Sequence, residues 1–246
     1  MTKLSVNVNK IALLRNARML ERPDIVRLAY LALESGASGI TIHPRPDERH
    51  IRCSDVEPLS RVVGQFQGAE FNIEGNPFHQ LMEVVRAAIP DQATLVPDDA
   101  SAVTSDHGWD LRLDGARLEP IIKELRDLGI RVSLFMDPSP DQMMLAKELG
   151  ANRVELYTES FADAFDSGDR ARVTGMYRES ALRAAELGLD VNAGHDLNLA
   201  NLSYFLAEVP HVKEVSIGHA LTADALEYGM ENTVQRYLAE IKKSYV

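Results

Sequence analysis

Three short β-branched runs end at, or just before, side chains that move protons. "GITIH" (39 to 43) closes on His43, "EFNIE" (70 to 74) closes on Glu74, and "LDVNA" (189 to 193) is followed two residues later by His195. An imidazole changes charge near neutral pH without any perturbation. A carboxyl beside Phe71 and Ile73 is expected to be desolvated, which raises its pKa toward neutrality. Together the three form a set able to add and remove protons at carbon or nitrogen. Polar groups stand at the ends of other runs too: Asn7 and Asn9, Arg45, Asn72, Asp98, Glu155 and Thr158, Asn192, Gly218 and His219. Any one of these reads as a solvated loop side chain or a strand cap. Their recurrence at the same place in successive segments points instead to one shared mouth.

The cations are concentrated as well. "GITIHPRPDERHIR" sets Arg45, Arg49, His50 and Arg52 after its apolar run, and Arg15 and Arg18 follow the first run, in a chain of formal net charge -11. The planar fork of arginine binds phosphate through two parallel charge-assisted hydrogen bonds, so the expected ligand is a phosphorylated small molecule. Arg49 and Arg52 either join that clamp or only balance Asp47, Glu48 and Asp55. "SIGHAL" and "VNAGHD" each place a glycine between a strand and what reads as a helix start, where backbone N–H groups and the helix dipole favour an anion.

Such a constellation needs a frame that carries many strand ends to one place. Candidate strands recur at 4–8, 39–43, 70–74, 93–97, 131–135, 153–157, 189–193 and 214–218, several without clean polar alternation, as in a parallel sheet covered by helices. The stretches "PDIVRLAYLALESGA", "LEPIIKELRDLGI", "PDQMMLAKELGA" and "RESALRAAELGL" have helical apolar spacing and stop at Gly36, Gly129, Gly150 and Gly188. This is the repeat of an α/β chain forming a single (β/α)8 TIM barrel with extra helices, one domain over residues 1–246. In that fold the active site lies at the C-terminal ends of the strands, where the polar groups above fall. A last helix is expected from Ala223 to Tyr245, docking Leu226, Met230, Val234, Tyr237 and Ile241. Long connections at 98–115 and 158–180 are expected to be functional or to carry additional helices.

Composition closes off other classes. A hydrophobic content of 45% suffices for a sizeable core, and a pI near 5.1 opposes binding to nucleic acid or an anionic membrane surface. No stretch approaches the ~20 apolar residues that span a bilayer, and a cytoplasmic location is expected. Cys53, the single cysteine, excludes an internal disulfide and a thiolate metal cluster, and is expected to be a small half-buried side chain. A metal-dependent barrel hydrolase would end its first strand in His-x-His, where this chain has Asn7-Val8-Asn9; no metal is expected. No GxxxxGK[ST] motif, and no GxGxxG after a strand, supports nucleotide binding.

In order and spacing, "VNVNKIALLRNAR", "GITIHPRPDERHI", "FNIEG", "VNAGHD" and "SIGHAL" resemble the pyridoxine 5'-phosphate synthase family over essentially the whole chain. The resemblance implies a cytoplasmic homo-oligomeric barrel, octameric, with no metal or organic cofactor. It implies condensation of 3-amino-2-oxopropyl phosphate with 1-deoxy-D-xylulose 5-phosphate to pyridoxine 5'-phosphate, phosphate and water. By the same resemblance His43 is the proton acceptor, Glu74 a second acid-base group, His195 the proton donor and Glu155 a carboxylate that stabilises transition-state charge. Asn7, Arg18, Asp196 and the pair Gly218-His219 match the aminoketone phosphate site; Arg45, His50 and Ser105 match the xylulose phosphate site. The chain departs from the common pattern at Asn9-Lys10 (Asp-His in many members), Asp196 (Gly), Ser105 (Thr) and Glu159 (Gly), positions that touch substrate. Lys10 and Ser105 keep a cation and a hydroxyl there, whereas a carboxylate at Asp196 beside a phosphate must point away or find a partner. Water must be kept from imine intermediates, so the segment from Val96 to Trp109 is the candidate lid. A barrel that only binds phosphorylated metabolites is the alternative, opposed by the intact His43, Glu74 and His195.

Overall fold

A computed structural model describes residues 1–18, 20–99 and 105–245. Strands β1 (Lys3–Asn7), β2 (Gly39–Ile42), β3 (Glu70–Gly75), β4 (Gln92–Leu95), β5 (Arg131–Met136), β6 (Arg153–Leu156), β7 (Asp190–Gly194) and β8 (Val212–Ile217) pair in parallel in chain order. The sheet closes when Leu4 of β1 comes into register with Val215 of β8. Around it lie α1 (Asn9–Asn16), α2 (Ile25–Glu34), α3 (Cys53–Val63), α4 (Leu81–Ala88), α5 (Leu111–Asp127), α6 (Met143–Glu148), α7 (Glu159–Ala164), α8 (Arg170–Glu186), α9 (Leu202–Glu208), α10 (His219–Tyr228) and α11 (Met230–Lys243). This is the (β/α)8 barrel expected from the repeat. The extra helix α7 falls in the long connection at 158–180, and no described helix is long and apolar enough to cross a membrane.

The strands do alternate, contrary to the sequence expectation. Leu4 and Val6, Ile40 and Ile42, Phe71 and Ile73, Val132 and Leu134, and their counterparts on the other strands pack in the core shared with the helices. The residues between them, Ser5, Thr41, Asn72, Thr94, Ser133, Glu155, Asn192 and Ser216, are buried and polar. They point into the barrel, where side chains from several strands meet: Arg153 Nη1 on β6 donates to Gln92 Oε1 on β4 at 3.3 Å, Asn192 Oδ1 on β7 at 3.2 Å and Glu214 Oε2 on β8 at 3.4 Å. Burying polar groups is tolerable when they are hydrogen-bonded. Higher in the barrel Ser5 pairs with Thr41 at 2.7 Å, and Thr94 donates to Asn72 at 3.1 Å. The main apolar core therefore lies outside the sheet, between strands and helices, and the polar layer leads up to the mouth.

Helix ends follow the glycine reading. Gly129 and Gly188 sit just past α5 and α8 with φ of 78° and 71°, in the left-handed region that glycine enters without Cβ strain. The long terminal helix does not exist as one piece. Gly229, at φ 76°, separates α10 from α11, so only Met230, Val234, Tyr237 and Ile241 dock, while Leu226 on α10 is 74% exposed. Cys53, at the start of α3, is exposed and not half-buried.

Candidate active site

The C-terminal ends of the strands open into a cavity of about 550 Å³. His43, Glu74, Glu155 and His195 line it, and so do Asn7, Asn9, Lys10, Arg45, His50, Ser105, Asp196, Gly218 and His219. Arg18 does not: it lies exposed just beyond α1, outside the cavity lining. Residues 100–104 of the candidate lid lie outside the described residues. The end of that segment is pinned, because buried Trp109 donates from its indole to the carbonyl of Leu95 at 2.8 Å.

Two asparagines, Asn7 ending β1 and Asn9 opening α1, tie together the first three strand ends. Asn7 Oδ1 accepts from the backbone N–H of Asn9 at 3.0 Å, and its Nδ2 donates to Glu74 Oε1 at 2.9 Å. Asn9 Oδ1 accepts from the backbone N–H of His43 at 2.9 Å. His43 Nδ1 then lies 3.9 Å from Glu74 Oε1.

Burial and neighbouring charges drive these groups apart in protonation. Desolvation first, then Asp98, pushes Glu74 up to about 7, partly opposed by His195 and by hydrogen bonds from Asn7 and Asn9. The predicted direction is right but its cause is different: Phe71 and Ile73 face the outer core, and it is burial in the barrel mouth that desolvates Glu74. Desolvation, with the positive charge of Arg45, holds His43 well below the usual imidazole range. Burial opposes the protonation of His195 too, but a 2.8 Å hydrogen bond between its Nδ1 and Asp196, with the charges of Asp196, Glu74 and Glu159, raises its pKa. Glu155 is buried near Glu74 and Glu214, and desolvation carries it well above the carboxylate range. Burial thus favours the protonated form of Glu155, partly opposed by a hydrogen bond from Thr94 and by the charge of Arg153.

The cations divide. Arg45 is buried and pairs with Asp98, whose Oδ2 also accepts from Ser105 Oγ at 2.9 Å. Ring contact places His50 beside His43 with centroids 6.0 Å apart. Its Nδ1 accepts from the N–H of Ile51 at 2.9 Å, so the neutral ring carries its hydrogen on Nε2. Desolvation, with Arg45 and Lys10, lowers His50 to about 4. Arg15 is no ligand group: it is buried against Asp55 at 2.6 and 2.9 Å and donates to the carbonyl of His50 at 3.1 Å. Arg49 bonds Asp47 at 2.7 Å, one of the acids expected to balance it, while Arg52 reaches Glu21 at 3.3 Å, an acid beyond α1 that was not among them.

On the far side, Gly218 caps α10 and brings its first N–H groups to the cavity beside His219 and Ala220. "VNAGHD" does not repeat this arrangement, because β7 ends at Gly194 and α9 starts only at Leu202. Gly194 serves close packing instead: a Cβ there would lie 2.2 Å from the carbonyl oxygen of Ser216. Sequence reasoning missed the wall opposite the charges. Val96, Phe135 and Tyr157 form a separate buried apolar cluster at the ends of β4, β5 and β6, and Val96 and Phe135 line the cavity. The signal was available, since each stands two residues after an inward polar position of its strand.

A closed barrel whose mouth joins imidazoles, carboxyls, a buried arginine and a helix N-terminus has the make-up of an enzyme site for charged small molecules. The chain belongs to the pyridoxine 5'-phosphate synthase family: the family described as "Pyridoxal phosphate biosynthesis protein PdxJ" matches residues 4–243. It is 53% identical to a pyridoxine 5'-phosphate synthase of Albidiferax ferrireducens over 242 residues, 96% of each chain. It is 51% identical to one of Cytophaga hutchinsonii, over 99% of this chain and 100% of that one. The tryptophan synthase alpha subunit of Legionella pneumophila superposes with a TM-score of 0.63 at 13% identity, covering 100% of this chain and 94% of that one, a likeness of fold alone.

Proposed function

We propose that the cavity condenses 3-amino-2-oxopropyl phosphate with 1-deoxy-D-xylulose 5-phosphate, yielding pyridoxine 5'-phosphate, phosphate and water. Joining an amine to a ketone needs an acid to release oxygen as water, and a base to take protons from nitrogen and carbon. His43, held neutral, is the base; His195, biased toward its cation, is the acid. Glu74, near neutrality, can serve in either direction between successive steps. Glu155, on the cavity wall near Glu74, stabilises positive charge that develops on the substrate, and burial favours its taking up a proton between steps. Arg45, His50 and Ser105 take the sugar phosphate, with Asp98 holding Arg45 and Ser105 in its absence. Asn7, Lys10 and the α10 N-terminus at Gly218-His219 take the aminoketone. The wall of Val96 and Phe135 suits the flat apolar ring that forms.

The observation that carries this reading is the convergence of His43, Glu74, Glu155 and His195 on one cavity that also holds the buried cation Arg45. Purified protein incubated with both phosphates is expected to produce pyridoxine 5'-phosphate, followed by absorbance. Binding of both without product, in a folded protein, overturns the reading in favour of a binding barrel. A cytoplasmic homo-oligomer, octameric by resemblance, belongs to the same proposal. Exposed Leu13, Leu14 and Leu20, in and after α1, supply apolar surface for such an assembly, and light scattering measures its mass.

A further inference from the structure

We propose that Asp196 is a positioning residue for His195, fixing its tautomer and orientation so that Nε2 is the nitrogen that gives a proton to substrate, and that Asp196 does not itself bind phosphate. The inference rests on the synthase reading for the identity of the reaction, but its structural half stands on the turn after β7.

That turn is built to bring two consecutive side chains face to face. His195 has φ of 52°, in the left-handed region uncommon for a residue with a Cβ. Its N–H donates to the carbonyl of Ser216 at 3.2 Å, and the N–H of Leu197 closes back on Gly194 at 3.3 Å, with the Leu197 side chain fully buried. Asp196 is held from both sides: its N–H donates to Thr158 Oγ1 and its carbonyl accepts from Asn201 Nδ2, both at 3.3 Å. The outcome is the 2.8 Å contact between His195 Nδ1 and Asp196 Oδ2. A carboxylate only accepts, so Nδ1 carries the hydrogen, and Nε2 is left as the nitrogen that titrates. Tyr157 meets the imidazole edge-on at 5.3 Å and limits its rotation.

A carboxylate turned toward a phosphate would repel it, whereas one turned toward an imidazole favours the imidazolium. The other titratable groups around His195 are Glu74 on β3, Tyr157 at the end of β6, Glu159 opening α7 and His219 opening α10. Glu74 and Glu159 act in the same direction as Asp196, and of these three carboxylates Asp196 is the one that hydrogen-bonds the ring. Glu159 is itself engaged, accepting from the Tyr157 hydroxyl at 2.7 Å.

The test uses the full chain labelled with 15N-histidine, with the His195 signal assigned through His195→Gln. In the ligand-free wild type His195 is expected as the Nδ1-protonated tautomer when neutral. In Asp196→Asn and Asp196→Gly its titration midpoint is expected to fall, and in Asp196→Gly the tautomer preference is expected to be lost. In turnover, the alkaline limb of kcat is expected to move to lower pH in both variants. Above neutral pH kcat is expected to fall about tenfold for each pH unit by which the His195 midpoint drops, with little change in KM for the aminoketone. An unchanged His195 tautomer and midpoint would overturn the pairing. A shifted midpoint with an unmoved alkaline limb would overturn its use in catalysis, and so would a lowered KM with no pH effect, which marks Asp196 as a phosphate neighbour. A wild type without turnover would sink the synthase reading, and the spectra alone would then decide the pairing.

Discussion

His43 Nδ1 and Glu74 Oε1 lie 3.9 Å apart, beyond a hydrogen bond and close enough that one bound atom or water can touch both. The separation matters because the two groups differ in charge state. His43 is neutral through the physiological range, while Glu74 changes charge near 7. A proton taken by one can therefore be returned through the other without either leaving its place.

From this follows the acid limb of the pH profile. If ionised Glu74 is needed, activity rises as pH passes about 7 and then falls as His195 loses its proton. Glu74→Gln keeps an acceptor for Asn7 but cannot move a proton, so kcat is expected to drop about 10²- to 10⁴-fold, and the acid limb should vanish from the residual rate. His43→Ala and His195→Ala are expected to abolish turnover while circular dichroism stays native. Full activity in all three variants would refute the assignment.

Asn7 offers a subtler handle on the same group. Its Nδ2 bond to Glu74 stabilises the carboxylate, which lowers the Glu74 pKa against the larger effect of burial. Removing it in Asn7→Ala should raise that pKa, so the acid limb of kcat/KM is expected to move to higher pH. A limb that stays in place while the rate falls uniformly would assign Asn7 to substrate binding alone.

Much of this was legible in the residues themselves. The βα repeat is written in β-branched runs and C-terminal glycines, local features that need no tertiary context. Strand ends inherit their location from the barrel, so thirteen of the fourteen anticipated site residues line the cavity, with Arg18 outside it. What could not be read depends on partners distant in sequence. Arg15 looked like a phosphate ligand because Asp55 meets it only after the chain has passed through α2 and β2. His43 and His195 are the same residue type, and it is the buried Arg45 beside one and the carboxylate of Asp196 beside the other that separate them. The inward polar layer went unread because several runs look continuous in the sequence, and only the closed sheet separates the face that meets the helices from the face that meets other strands.

That polar layer has a cost that depends on pH. Glu155 binds its proton in the folded state more tightly than its ordinary value of 4.5, and Glu74 does so up to about 7. The folded protein therefore holds protons that the unfolded chain has released. This contribution is fully present below pH 4.5 and is lost as pH rises toward the folded pKa values, by at most about 1.4 kcal/mol per pH unit for each group. Glu155→Gln keeps a neutral side chain of similar shape. Its Tm is expected to match wild type near pH 5 and to exceed it at pH 8, by about 2–4 °C for each kcal/mol recovered. Parallel Tm curves would show that Glu155 is ionised in the folded protein.

The basic loop after β2 supplies the last contrast. Arg15 and Asp55 are both buried, and Arg15 also holds the carbonyl of His50, as does Asn16 Nδ2 at 2.8 Å. Arg15→Ala leaves Asp55 buried without its partner, a loss of about 3–5 kcal/mol. It also frees the backbone that aims His50, so KM for the sugar phosphate is expected to rise together with a fall in Tm. Arg52 reaches Glu21 at 3.3 Å on an exposed surface. Such pairs contribute about 0–1 kcal/mol, so Arg52→Ala is expected to leave Tm and KM within error of wild type. A large KM effect from Arg52→Ala would restore that residue to the phosphate clamp. A silent Arg15→Ala would show that the His50 loop holds itself in place.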